Sequence, residues 1–215
     1  METNWLRCIS RIIAIFLSLP VHELSHAYAA KLLGDDSAQK QGRLTLNFTK
    51  HFDLMGFVFL LLFGYGWAKP VPVNINKFSN PKRDMALVSL AGPASNLMLA
   101  IVSMLLCKII RFVFVFSHSN AVAVIMLISF LKYFIIINIG LAVFNLIPIP
   151  PLDGSRVLMF FLSNRAYYYV LFLERYGFIL IFMLARSRIF ILLISICSSY
   201  ILKTFDFLTN SFGVL

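Results

Sequence analysis

The sequence contains three long stretches without a single Asp, Glu, Lys or Arg: Met85–Cys107, Phe112–Leu131 and Tyr133–Leu152. A helix that crosses the hydrocarbon core of a bilayer needs about 20 consecutive apolar residues, so each stretch is long enough to span a membrane. Of the 215 residues, 60% are hydrophobic and 13% are charged, whereas soluble domains have about 45–50% and about 25%. These features predict an all-α integral membrane protein and exclude an ordinary soluble enzyme, a disordered chain and a collagen-like repeat.

The apolar runs and the breakers between them predict helices near residues 5–33, 85–107, 121–147, 156–185 and 188–208, with a break inside the fourth. We therefore expect a single transmembrane domain over residues 1–215 with about five to six spanning helices. Its core motifs fall within residues 20–156, and residues 157–215 add further C-terminal helices.

The connection between the first two helices has a different composition. Residues 42–48 alternate in polarity and predict a short strand. Leu54–Phe63 is apolar but too short for a comfortable span. Gly64–Asn74 is rich in glycine, proline and β-branched residues, which exclude a helix. A short re-entrant, β-hairpin-like segment fits, because irregular backbone at membrane depth needs protein or water around it.

The formal net charge of +10 comes from basic residues that flank the apolar runs. This arrangement is typical of a membrane topology signal, and we expect no nucleic-acid partner. A cluster of these residues lies between the first two helices: Lys31, Lys40, Arg43, Lys50, Lys69, Lys77, Lys82 and Arg83. If the connection is re-entrant, the cluster lies on one side of the lipid bilayer, and the positive-inside rule makes that side cytoplasmic. We expect the inner membrane of a bacterium.

The first predicted helix contains His22-Glu23-Leu24-Ser25-His26, an HExxH motif. Residues four apart on a helix rise about 6 Å and share one face, so both imidazoles can hold one ion. Zinc bound there would lower the pKa of a water molecule, and Glu23 could accept its proton. Chance is the alternative explanation, but two histidines and a glutamate inside an apolar helix are costly unless they are paired or bind a metal.

A catalytic zinc usually has three protein ligands and one open position. Of the nine acidic residues, Asp153 stands alone at the end of a charge-free run, directly after a helix-breaking group of prolines. Polar groups converge on a site where a helix breaks at membrane depth, so Asp153 is the candidate third ligand. The alternative is that Asp153 only caps the helix that follows it. Glu174 lies beside Arg175 and is expected to be part of a loop pair or an interfacial charge rather than to act in catalysis.

These motifs together resemble those of the site-2 protease family of intramembrane zinc metalloproteases. The HExxH motif is followed far downstream by Asn145-Leu146-Ile147-Pro148-Ile149-Pro150-Pro151-Leu152-Asp153-Gly154, and Ala91-Gly92-Pro93-Ala94-Ser95-Asn96 matches a further family motif. The segment from Gly66 to Asn74 is similar to one in compact bacterial and archaeal members. The resemblance covers about two thirds of the chain. No segment outside the predicted helices is long enough for the PDZ module of larger relatives.

The resemblance implies one zinc ion per chain, held by His22, His26 and Asp153, with Glu23 as general base. It also implies that Asn145 lies near the metal, where its amide could donate a hydrogen bond to the developing oxyanion.

Two further groups of residues follow from the same resemblance. Gly92, Pro93 and Asn96 are expected to support the site by allowing close helix packing. The hairpin could present a free edge to an unwound substrate, so its candidate substrate-binding residues are Gly66, Pro70, Val71, Pro72 and Val73. A plain structural turn is the alternative for this hairpin.

The function expected from these residues is zinc-dependent hydrolysis of peptide bonds in or near the transmembrane segments of a membrane-protein substrate. Two alternatives remain open: a transporter with a metal at its midplane, because broken helices and buried histidines suit that class, and a catalytically idle scaffold for membrane partners. A homo-oligomer or a regulatory membrane partner could replace the missing module.

Overall fold

The computed structural model describes residues 4–63, 66–117, 122–177, 179, 183 and 187–208, and these residues form helices joined by short connections. No strand occurs among them. The helices are α1 (Asn4–Leu32), α2 (Ser37–Lys40), α3 (Phe48–His51), α4 (Leu54–Phe63), α5 (Pro81–Ser117), α6 (Val122–Leu146), α7 (Asp153–Phe161), α8 (Asn164–Glu174) and α9 (Arg188–Leu208), with a 3-10 turn at Ile75–Lys77.

Within the described ranges, three helical segments are long and apolar enough to cross a membrane: Ile9–Leu32, Pro81–Val113 and Val122–Leu146. They make the chain a membrane protein. The long helix α5 lies at the centre of the fold, where it packs against α1, α6 and α7. A buried apolar cluster that includes Ala100 and Ile139 holds α5 to α6. Many large apolar side chains remain exposed outside this core, as expected for surfaces that face lipid.

The helices expected from sequence agree closely with the structure for α1, α6 and α9. Helix α5 is longer than expected, because it continues past Lys108 and Arg111 to Ser117. Neither cation breaks a helix, since both are good helix formers and their long side chains can reach away from apolar surroundings. The break expected within residues 156–185 lies between α7 and α8, where the hydroxyl of Ser163 caps α8. Most of residues 178–186 lie outside the described residues.

The connection between α1 and α5 differs from the expectation. The strand expected at residues 42–48 is wrong, because turns and bends occupy that range. Asn47 there caps α3 by accepting a hydrogen bond from the Thr49 N–H at 3.0 Å. The β-hairpin is not confirmed: residues 66–74 have no strand pairing among the described residues, and Gly64 and Tyr65 lie outside them. Pro70 and Pro72 lack N–H groups, which hinders regular pairing along this segment.

Candidate metal centre

Helix α1 carries the HExxH residues on a buried face. His22 and His26 are one turn apart, and their exposed fractions are only 5% and 7%. Their Nε2 atoms lie 3.0 Å from each other, because residues four apart on a helix stand one above the other. Both imidazoles therefore direct a nitrogen to the same point, inside the spanning segment Ile9–Leu32.

The tertiary fold brings Asp153 to the same point. Helix α6 ends at Leu146, and α7 begins at Asp153 after the proline-rich turn. The Oδ2 atom of Asp153 lies 3.3 Å from Nε2 of His22 and 3.3 Å from Nε2 of His26. The N-cap of α7 is Leu152, so Asp153 occupies the first turn of the helix instead of the capping position.

The donor set fits a tetrahedral zinc site. Ligands about 2.0–2.2 Å from a tetrahedral ion lie about 3.3–3.6 Å apart, and the three separations here are 3.0, 3.3 and 3.3 Å. Among the described residues, the buried Oδ2 of Asp153 has no hydrogen-bond partner. Three acceptor atoms so close together repel unless a cation or protons lie between them. His22, His26 and Asp153 are the group of side chains in the described part of the chain that could hold a metal ion.

Helix α5 orients the two imidazoles. The Nδ1–H of His26 donates a hydrogen bond to the carbonyl oxygen of Val88 at 2.7 Å, which leaves Nε2 as the metal-binding nitrogen. One turn further along α5, Gly92 faces both rings. A Cβ atom at this position would lie 2.3 Å from Nε2 of His26 and 2.5 Å from Cε1 of His22. The absence of a side chain at Gly92 is therefore a steric requirement of the site.

A second glycine allows the turn that carries Asp153. A Cβ atom on Gly154 would lie 2.2 Å from the carbonyl oxygen of Leu146 and 2.6 Å from that of Ile147. These atoms belong to the backbone at the end of α6, so they cannot move aside as a flexible side chain could. The close approach of Gly154 to α6 fixes where α7 starts and hence where Asp153 lies.

Glu23 lies beside the histidines and contacts the extended segment Lys69–Asn74, which we call the strap. The backbone N–H of Val71 donates a hydrogen bond to Oε2 of Glu23 at 3.1 Å. Val71, Pro72 and Val73 are half-buried, whereas Gly66 and Pro70 are exposed. The middle of the strap therefore contacts Glu23, the candidate general base, whereas the first residues of the strap are exposed.

The remaining candidate residues lie at different places. The amide of Asn145 donates a hydrogen bond to the carbonyl of Leu141 in its own helix at 3.0 Å, and the structure gives it no contact with the three candidate ligands. Pro93 and Asn96 are buried in α5, close to Gly92. Among the described residues, neither polar atom of the Asn96 side chain has a hydrogen-bond partner.

A cavity of about 770 Å³ lies between α1, α6, α9 and the residues just before the strap, and its described lining includes none of the three candidate ligands. It is lined mainly by apolar side chains, among them Leu19 of α1, Trp67 before the strap and Phe144 of α6. Its volume falls within the range of about 300–1,000 Å³ that is typical of ligand sites. Leu19 lies one turn before Glu23 and Phe144 directly precedes Asn145, so the cavity follows the same helices that carry candidate catalytic residues.

Sequence reasoning missed two kinds of contact in this region. The carbonyl of Val88 acts through its backbone, and a backbone acceptor leaves no signature in residue type. Arg43 and Asp35 both bond the strap, but in the sequence they read as ordinary charges of a polar connection. An Arg in a short polar segment carries no signal that it is buried, and only the tertiary structure shows that Arg43 is 7% exposed.

Comparisons with known proteins agree with these motifs. The model of the family described as "Peptidase family M50" matches residues 10–114 and 107–184. Three of the relatives that carry the name "Putative zinc metalloprotease", each followed by its own designation, show the range of similarity. YwhC of Bacillus subtilis is 40% identical over 178 residues, which are 80% of this chain and 78% of the relative.

The other two relatives are more distant. MJ0611 of Methanocaldococcus jannaschii is 31% identical over 150 residues, which are 70% of this chain and 69% of that protein. Rip2 of Mycolicibacterium smegmatis is 33% identical over 147 residues, which are 66% of this chain and 53% of that protein. No solved structure is significantly similar to the chain.

Proposed function

This chain belongs to peptidase family M50, the site-2 protease family of zinc metalloproteases, and from this premise we propose that it hydrolyses peptide bonds in or near the transmembrane segments of membrane-protein substrates. One observation carries the proposal. Two histidines within a membrane-spanning helix and an aspartate from a broken helix meet at 3.0–3.3 Å, with a glutamate beside them. Such groups inside an apolar helix indicate a functional site.

We assign His22, His26 and Asp153 as the ligands of one zinc ion and Glu23 as the general base. When bound, zinc supplies Lewis-acid chemistry, which polarises a carbonyl group and makes water more acidic. Glu23 accepts a proton from the attacking water and later gives it to the leaving amine. The side-chain amide of Asn145 releases the carbonyl of Leu141 and donates a hydrogen bond to the oxyanion instead.

The strap is the proposed binding edge for the substrate backbone. Among the described residues, the carbonyl of Val71 and the N–H of Val73 have no hydrogen-bond partner. An extended peptide could pair with these groups as an added strand. Pro70 and Pro72 have no N–H to offer, which favours pairing through the two valines. The substrate would have to unwind first, because a helix uses its own backbone groups internally.

The apolar cavity supports the intramembrane part of the proposal. It is lined by residues of α1, α6 and α9 and by Gly66, Trp67 and Ala68, which directly precede the strap. We propose that an apolar segment of the substrate enters there, because a lipid-embedded segment presents apolar side chains that such walls can bury. Gly92, Pro93 and Asn96 support the site from α5.

The wider topology is part of the same proposal. We propose one transmembrane domain with about five to six crossings, in which α9 and parts of residues 157–187 add to the three long helices. Leu54–Phe63 would re-enter the membrane without crossing it. The basic residues around α2 and the strap would then lie on the cytoplasmic side of a bacterial inner membrane, and the site would open to that side.

The test is cleavage of a transmembrane substrate reconstituted with purified protein. We expect Glu23→Gln to abolish cleavage while one zinc per chain remains bound, because the zinc ligands are unchanged. Asp36→Asn serves as a control, since this half-buried acid contacts Lys40 and Lys77 and none of the candidate catalytic residues in the described structure. Unchanged cleavage in Glu23→Gln would refute the mechanism. Zinc flux into proteoliposomes without proteolysis would support a transporter instead.

A further inference from the structure

Regular backbone pairing does not hold the strap, although the side chain of Val73 packs against the buried cluster of Ala30, Phe78, Met85 and Val88. Two of its six residues are prolines, which have no N–H, and no strand pairs with it among the described residues. Its position against Glu23 nevertheless decides whether Val71 can donate to that carboxylate. Side chains outside the strap make hydrogen bonds to its backbone at both ends, at Lys69 and Pro70 and at Asn74.

Arg43 holds the first end. Its Nη2 donates to the carbonyl oxygen of Lys69 at 2.6 Å and to that of Pro70 at 3.2 Å. The same end is held by the N–H of Lys69, which donates to the carbonyl of His51 at 2.8 Å. Burial of a guanidinium costs free energy unless it is hydrogen-bonded, and the strap carbonyls are the partners of Arg43 in the described structure.

Asp35 holds the other end. Its fully buried carboxylate accepts a hydrogen bond from the N–H of Asn74 at 2.6 Å and from that of Ser37 at 3.0 Å. Nζ of Lys77 lies 3.3 Å from Oδ1 of the same group. Burial by itself would raise the pKa of Asp35, but these hydrogen bonds outweigh it and lower the pKa below its usual value. The carboxylate therefore stays charged as an acceptor for the strap.

We propose that Arg43 and Asp35 are positioning residues that clamp the two ends of the strap and thereby set Val71 against Glu23 and against the substrate backbone. The two clamps lie on one short connection after α1, on either side of α2. Neither side chain touches the candidate zinc ligands, so they act through the strap alone. The effect on substrate rests on the proposed function, whereas the clamping itself does not.

The experiment compares two clamp variants, Arg43→Gln and Asp35→Asn, with two matched controls. These are Lys50→Gln at an exposed position and Asp36→Asn, whose half-buried side chain pairs with Lys40 and Lys77 and makes no contact with the strap among the described residues. Hydrogen exchange at the Val71 amide is measured by NMR on protein labelled with ¹⁵N-valine in detergent micelles. Val71 is the informative amide because neither substitution alters its own partner. Val73, whose N–H has no partner among the described residues, is the internal reference.

We expect Val71 to exchange at least about tenfold faster in both clamp variants, with no change at Val73 and no change in either control. Bound zinc should stay at one per chain. With a transmembrane substrate, KM should rise about tenfold in both clamp variants, because the binding edge is no longer held in place. Arg43→Lys should restore part of the wild-type protection at Val71 and part of the wild-type KM, since the lysine ammonium can still donate to the strap carbonyls.

Unchanged exchange at Val71 in zinc-bound Arg43→Gln and Asp35→Asn would overturn the proposal. If Arg43→Gln does not bind zinc, Asp35→Asn alone decides the test, and wild-type exchange at Val71 together with wild-type KM in that zinc-bound variant would overturn the proposal equally. If Val71 responds but the wild-type protein cleaves no transmembrane substrate, the proposed function fails while the clamp stands.

Discussion

Gly92→Ala tests most directly whether the three converging side chains bind a metal. The new Cβ would lie 2.3 Å from Nε2 of His26, where ordinary Cβ contacts begin at 3.4 Å. The imidazole would have to retreat by about 1.1 Å, the difference between these two distances. It cannot do so freely, because its Nδ1–H is bonded to the carbonyl of Val88 at 2.7 Å.

The consequence for zinc affinity follows from the tolerance of metal coordination. Ligand distances in metal sites vary by only about 0.2 Å, so a shift of about 1 Å removes a ligand. Loss of an outer-shell partner alone costs about 10–100-fold in metal affinity, and we expect at least about 100-fold here, or about 2.8 kcal/mol. The alanine itself favours a helix interior by about 1 kcal/mol, so the helix should not be lost through propensity.

The assay is zinc content of the purified protein by mass spectrometry, with affinity measured by competition against a chelator. Gly140→Ala is the matched control, because it makes the same change inside helix α6 and its Cβ would meet nothing within 4 Å. Gly140→Ala should keep one zinc per chain. Wild-type zinc affinity in Gly92→Ala would refute the reasoning, since it would mean that the imidazoles are not held where the structure puts them.

Three further predictions concern the turn, the metal and the polar connection. Gly154→Ala should lose zinc and lower the melting temperature, because its Cβ would lie 2.2 Å from the Leu146 carbonyl; normal values of both would contradict the close-packing argument. Removal of zinc with 1,10-phenanthroline should lower the melting temperature reversibly, since a ligand at 100 times its Kd stabilises by about 2.7 kcal/mol; an unshifted melting curve would count against a zinc-bound site. Hydrogen bonds from Lys40 and then Lys77 lower the pKa of Asp36 to about 2, below its unfolded value of about 3.9. Asp36 therefore contributes stability above about pH 4 that is lost as the pH falls through about 2. The melting-temperature difference between wild type and Asp36→Asn should shrink between pH 5 and pH 2.5, and a constant difference would disprove this.

The sequence sufficed for much of what depends on local regularity, and the α1, α6 and α9 boundaries agree with it closely. The charge-free run Phe112–Leu131 is not a span, however, because α5 ends at Ser117 and α6 begins at Val122. The pairing of His22 with His26 follows from the helical repeat alone. The short strand expected at residues 42–48 failed because its alternation was read without the cap at Asn47, which begins a helix there.

The candidate ligand set shows the limit of this reasoning. Asp153 could be singled out because acids are rare in the chain, and its position after a proline-rich run made it conspicuous. The sequence left open whether it binds metal or caps a helix. The fold puts its carboxylate 3.3 Å from both imidazoles and gives the capping position to Leu152, which is the observation that supports the ligand role.

By itself, the sequence determined that this chain is a helical membrane protein with a metalloprotease motif, because helix periodicity and apolar length are properties of neighbouring residues. Only the tertiary structure decided what surrounds the motif. The carbonyl of Val88 accepts a hydrogen bond from His26, and Gly92 lies against both imidazole rings. Arg43 and Asp35 bind the two ends of the strap. These contacts join distant segments through backbone atoms or through a missing side chain. Neither leaves a pattern in residue type, so packing alone reveals them.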